Sequence, residues 1–101
     1  MNIIEERNNN ISTIKVEGCL DTSTAPELQS YLDKVFKEVD GIVFDFINLD
    51  YISSAGLRVI LAAIKSMRSE DAIKIINVND VVMNIFELTG FDDLISIDAI
   101  K

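Results

Sequence analysis

The sequence predicts one α/β domain spanning residues 1–101, with a mixed sheet of about five strands and about three helices. Three observations carry this. Segments rich in β-branched residues alternate with segments whose apolar residues recur at helical spacing, the pattern of a largely parallel sheet with crossover helices. The two opening strand-like segments are separated only by the polar cluster Asn8–Asn10, so they pair as an antiparallel hairpin. A chain of 101 residues suits one compact core and leaves no room for two. The predicted order is β-β-α-β-α-β-α-β.

The opening pair is "NIIEE" and "ISTIKVEG". In the second segment Ile11, Thr13, Lys15 and Glu17 alternate with Ser12, Ile14 and Val16, an imperfect but strand-like period of two. The first helix is expected over roughly Ala25 to Glu38. Thr24 with Glu27 three residues later reads as a capping box, and Pro26 falls in the first turn, where its missing N–H costs nothing. Leu28, Leu32, Val35, Phe36 and Val39 share one face, and Gly41 is a stop. "IVFDFINL" is a nearly unbroken apolar run and reads as one strand buried on both faces. Asp45 within it is either an acid placed near a site or a hydrogen-bonded acid at the strand end.

A helix beginning near Ala55 carries the stripe Leu57, Ile60, Leu61, Ile64 and Met67. "AIKIINV" reads as a buried strand. In "NDVVMNIFELTG", Asn79 or Asp80 can cap, Val82, Ile85 and Phe86 face inwards, and Gly90 ends the helix. "LISIDAI" is the last strand.

Composition narrows the function. The net charge is −8, with no basic stripe, which disfavours nucleic acid and anionic membrane surfaces and suits a soluble surface or a basic protein partner. The absence of histidine removes Ser-His-Asp chemistry and Cys/His metal sets, and the single Cys19 forms no internal disulfide. The four glycines are scattered, with no nucleotide-binding loop. The first residues carry Glu5 and Glu6 where a signal peptide has a basic end and an apolar core, and no apolar run approaches a membrane span. A cytoplasmic protein with no direct membrane insertion is expected.

The most informative stretch is "YISSAGL", Tyr51 to Leu57. It places the hydroxyls of Ser53 and Ser54 in a strand-to-helix turn, at the carboxyl end of the sheet where ligands and partners dock. Ser54 reads as the N-cap of the following helix, and Ala55 and Gly56 as small residues that leave the first amides accessible. A phosphate here would be stabilised by those amides and the helix dipole, by about 0.3–1 kcal/mol if exposed. On physical grounds alone, capping is the simpler account of the serines.

"DYISSAGLRVIL" resembles the phosphoacceptor loop of STAS domains of the bacterial anti-sigma factor antagonist type. "GCLDTSTAPEL" resembles the same family's earlier loop and first helix, at a matching distance. With the element order in agreement, the resemblance covers essentially the whole chain. It implies a single STAS domain with no enzymatic activity and no cofactor of its own. The dephosphorylated form of such a domain binds an anti-sigma factor that is also a serine kinase of the histidine-kinase-like ATPase fold, which frees a sigma factor. ATP and Mg²⁺ belong to that kinase, phosphorylation of the loop abolishes the complex, and a serine phosphatase reverses it.

Carried over, the phosphoacceptor is Ser54. The preceding position is often Asp in the family and is Ser53 here, an alternative acceptor; the following one is often Ser or Thr and is Ala55 here. Asp21 and Thr22 match the earlier loop, which helps contact the kinase. Gly56, Leu57 and Arg58 complete the partner-binding set, although Leu57 also reads as core and Arg58 as ordinary surface. Two other readings remain. One is a STAS subunit of a transporter-associated or sensory assembly; the other is a small acid-dependent hydrolase using Asp45 or Asp50.

Overall fold

The computed structural model describes residues 1–68 and 70–100. Strands β1 (Asn2–Asn8) and β2 (Ile11–Leu20) form the expected hairpin, in register from Asn2 opposite Glu17 to Asn8 opposite Ile11. Asn9 turns the chain at φ 57°, a left-handed conformation that asparagine tolerates. There follow α1 (Ala25–Val35), β3 (Gly41–Asp45), β4 (Leu49–Ile52), α2 (Ser54–Ser66), β5 (Ile73–Val78), α3 (Asp80–Thr89) and β6 (Ser96–Ala99). The sheet runs β1-β2-β3-β5-β6, with every pairing after the hairpin parallel, and β4 joins it through β2. The α/β architecture, the opening hairpin and the helix–strand alternation are those expected.

The expectation of a single central strand is corrected. The run from Ile42 to Leu49 is not one strand but two. Asp45 accepts the amide hydrogen of Ile47 (3.1 Å), and the Leu49 amide turns back to the Phe46 carbonyl (3.0 Å). The chain then re-enters the sheet as β4, beside the far half of β2. There β2 is irregular at Gly18 (φ 96°), whose amide donates to the Asn48 carbonyl at 2.9 Å. One long strand therefore serves two partners: Ile11–Lys15 pair with β3, and Gly18–Leu20 with β4.

Nor are these strands buried on both faces. In register, Glu5, Ile14, Phe44, Ile75 and Ile97 line up across five strands on the helix-covered face, and Ile14, Phe44 and Ile75 are fully buried. The neighbouring row on the other face, Thr13, Val43, Lys74 and Ser96, remains at least partly open to solvent. A strand covered on one side needs apolar residues only at alternate positions, and Val43 and Ile76 are apolar beyond that need.

The helices supply the other half of the core. Helix α1 buries Ala25, Leu28, Leu32 and Val35. It ends at Val35 rather than Glu38, because the Glu38 amide bonds the Val35 carbonyl in a tighter turn. Helix α3 is capped as expected: Asn79 Oδ1 accepts the Val82 amide hydrogen (2.9 Å), and Gly90 leaves the helix at φ 79°. Asn79 Nδ2 also donates to the Leu49 carbonyl (2.8 Å), fixing the start of α3 against β4. Val82 and Phe86 are buried and Ile85 half-buried. Phe86 stacks at 6.4 Å on Phe46, which also meets Phe44 at 5.7 Å.

At the β1 edge the buried face closes with a polar cluster. Glu5 accepts hydrogen bonds from Ser12 (2.6 Å), from Tyr31 on α1 and from Arg7 (2.7 Å). Arg7 reaches on to Glu38 at 3.3 Å. Partial burial pushes the Glu5 carboxyl upwards, but the Ser12, Tyr31 and Arg7 donors outweigh it and hold it below its ordinary value. Burial, and then the facing Glu5 carboxylate, push the Tyr31 phenol up to about 12. A carboxyl depressed on folding contributes stability above its unfolded pKa, and that stability is lost as pH falls through the folded value. Stability should therefore fall as the solution is acidified below about pH 4.5. Glu5→Gln should flatten that acid limb and cost about 1–3 kcal/mol at pH 7, read from urea unfolding at several pH values; an unchanged acid limb would remove Glu5 from this role.

Candidate functional site

The two motifs singled out in the sequence meet at the carboxyl ends of β2 and β4. Cys19 pairs with Tyr51 and Leu20 with Ile52, and the Ser53 amide then donates to the Leu20 carbonyl at 2.9 Å. The loop that begins with Asp21 and the turn that holds Ser53 and Ser54 therefore leave the sheet side by side, though about thirty residues apart in sequence.

The first loop is organised by Asp21. Its Oδ1 accepts from the Ser23 amide (3.0 Å), the Ser23 hydroxyl (2.7 Å) and the Thr24 amide (3.2 Å), while its carbonyl takes the Ala25 amide hydrogen (2.7 Å). The Ser23 hydroxyl, followed by the Ser23 and Thr24 amides, holds the Asp21 carboxyl below its ordinary value, so it stays ionised. Thr22 is exposed at the loop tip. The capping box expected of Thr24 and Glu27 does not form. Thr24 has helical backbone angles, and its hydroxyl turns back into the loop, accepting from the Asp21 amide (2.9 Å) and donating to the Cys19 carbonyl (2.8 Å). Thr24 is the residue here that sequence reading misassigned. The available signal was Asp-x-x-Thr, two short polar side chains spaced to bond each other's backbone.

The second loop also differs by one residue from expectation. Helix α2 starts at Ser54, so the N-cap is Ser53 (φ −96°, ψ 178°) and Ser54 is the first helical residue. The Ser53 side chain makes no cap hydrogen bond, and its Oγ is buried without a partner, whereas Ser54 is exposed. Gly56 does not serve to expose amides: it is buried. A Cβ there would lie 2.8 Å from Ile52 Cγ1, 2.8 Å from Leu20 Cγ and 2.9 Å from the Leu20 carbonyl oxygen. The missing side chain lets the first turn of α2 settle on the ends of β2 and β4. That contact turns the buried face of α2 towards Gly56, Val59, Ile60, Ala63 and Ile64. Leu57, Leu61 and Met67 of the expected stripe are partly buried at its margin. Ala55 is partly buried and Arg58 is exposed.

Asp45 is a hydrogen-bonded acid at the end of β3, accepting from the Ile47 amide and from Asn77 Nδ2 (3.0 Å); Asp50 is exposed on β4. Among the described residues no cluster of His, Cys, Asp or Glu is placed to hold a metal ion, and no helix is long and apolar enough to cross a membrane.

Two substitutions test this geometry. Gly56→Ala should destabilise the fold by about 1–3 kcal/mol through overpacking against Leu20 and Ile52; wild-type stability in urea would contradict the close approach. Ser53→Ala should cost less than about 0.5 kcal/mol, where loss of a working cap costs about 1.

Residues 2–100 match the STAS domain family. The chain is 34% identical over 101 residues to the anti-sigma-B factor antagonist of Listeria monocytogenes, a match covering 97% of this chain and 88% of that protein. Its fold is similar to the crystal structure of an anti-sigma factor antagonist from Mycobacterium paratuberculosis (TM-score 0.88, 21% identity, covering 96% of this chain and 84% of that one). It is also similar to the anti-sigma factor antagonist SpoIIAA, both unphosphorylated (TM-score 0.82, 17% identity, 99% and 90% covered) and, from Bacillus, phosphorylated (TM-score 0.75, 16% identity, 99% and 93% covered). The match along nearly the whole chain, together with the paired loops at the ends of β2 and β4, leads to one conclusion: this chain belongs to the STAS domain family.

Proposed function

We propose that the protein is an anti-sigma factor antagonist. Its unphosphorylated form binds an anti-sigma factor that is also a serine kinase, and phosphorylation of Ser54 ends the complex. The observation that carries the reading is the difference between the adjacent serines: the Ser54 side chain is exposed at the start of α2, and the Ser53 oxygen is buried. The relative from Listeria named as an anti-sigma-B factor antagonist supports the partner class, in preference to a transporter-associated assembly.

The chemistry belongs to the partner. Ser54 Oγ attacks the γ-phosphorus of ATP held with Mg²⁺ by the kinase. The new O–P bond forms as the bond to the ADP oxygen breaks, and the hydroxyl proton passes to a base of the kinase. A serine phosphatase restores the hydroxyl. The antagonist itself carries out no turnover, holds no cofactor and acts in the cytoplasm. Its part is to present a hydroxyl in the turn next to the loop that carries an ionised Asp21, on a chain of net charge −8. A phosphate adds about −1.5 to −2 charges to that surface, and in a desolvated interface an unmatched charge of this size weakens binding steeply.

The test mixes the protein with an anti-sigma factor kinase from the same organism and ATP, and maps the modified residue by mass spectrometry. Modification is expected at Ser54; modification elsewhere, or none, sinks the switch. Ser54→Ala should bind the kinase whether or not ATP is present, and Ser54→Asp should bind about tenfold or more weakly.

A further inference from the structure

We infer that Arg58 is the resident counter-charge for a phosphate on Ser54, an ion pair made within α2 once the serine is modified. This rests on the reading of Ser54 as the phosphoacceptor. Ser54 is the first residue of α2 and Arg58 lies four residues on, so both project from the same exposed strip of the helix. Helical side chains lean towards the N-terminus, which carries the guanidinium over the turn that holds Ser54. An acid N-terminal to a base at this spacing is the favourable order. A guanidinium also matches two phosphate oxygens at once.

Arg58 is uncommitted in the unmodified protein: among the described residues it enters none of the salt bridges, which belong to Arg7 and Lys74. Acids stand on the elements that adjoin the start of α2. Asp21 lies in the adjoining loop, Glu27 in the first turn of α1 and Asp50 on β4. Along α2 the next cation is Lys65, two turns beyond Arg58. A phosphate placed here would be drawn to the first amides of α2 and the helix dipole, and Arg58 is the cation of α2 within one turn of it. Arg58 adds the side-chain share of that attraction. Pairing also withdraws the cation from the docking surface, so one modification both adds an anion and removes the positive group beside it.

The experiment installs phosphoserine at position 54 during translation by codon suppression, so it needs no kinase. The second ionisation of the phosphate is followed by ³¹P NMR, alongside the Arg58 Nε–H resonance. In the phosphorylated wild type the two signals should titrate with one midpoint. In Arg58→Gln the phosphate midpoint should rise by about 0.2–0.5 pH unit, and Arg58→Lys should recover part of that shift. Equal midpoints in wild type and Arg58→Gln, or an Arg58 resonance blind to phosphate ionisation, would overturn the pairing. Failure of a kinase to modify Ser54 would instead remove the reading of the site and leave this measurement standing.

Discussion

The arrangement of the site depends on one contact, the seating of Gly56 on Leu20 and Ile52. A parallel β-α connection has to bring its helix back over the strand it has just left, and how closely it returns is set by the bulk at the first turn. Here no side chain intervenes, and the helix start rests directly on the last paired residues of two neighbouring strands. That contact fixes the rotation of α2 about its axis. The rotation in turn decides which of Ser53, Ser54 and Arg58 face the core and which face solvent. Each side chain at the site takes its exposure from a backbone approach that it does not itself make.

The sheet imposes a second constraint, because it is covered on one side only. Its central residues, Ile14, Phe44 and Ile75, find helix side chains above them, but at the β1 edge the row ends on Glu5. A carboxylate at a half-buried edge is costly unless every lone pair is engaged, and Ser12, Tyr31 and Arg7 engage it. The cluster ties the hairpin to α1. It lies on the edge strand rather than at the strand ends that carry the paired loops, so the polar closure of the fold and the exposed hydroxyl of Ser54 rest on different residues.

Much of the fold was legible because it is written in periodicity. The three helices, the opening hairpin and the caps at Asn79 and Gly90 all follow from local patterns that tertiary contacts reinforce. The departures come from interactions between distant segments. The break between β3 and β4 depends on Asp45 bonding its own chain two residues on and on the irregularity of β2 at Gly18. An apolar run does not reveal whether its second face is covered, so Val43 and Ile76 suggested double burial where there is none. At the site, the motif located both loops, but the one-residue displacement of the α2 cap and the inward role of Gly56 arise from the packing against Leu20. Thr24 looked like a helix cap by spacing, and became a loop brace because its own backbone is already helical.

The contrast between Ser53 and Ser54 has a consequence for recognition. As a peptide, "YISSAGL" offers two chemically equivalent hydroxyls, and an unfolded chain presents them alike. Only when Gly56 is seated does one of them disappear beneath the surface. Discrimination between neighbouring serines is therefore a property of the folded domain and not of its local sequence. An enzyme that modified Ser54 and left Ser53 alone would test, in the same act, whether the chain has reached its native state.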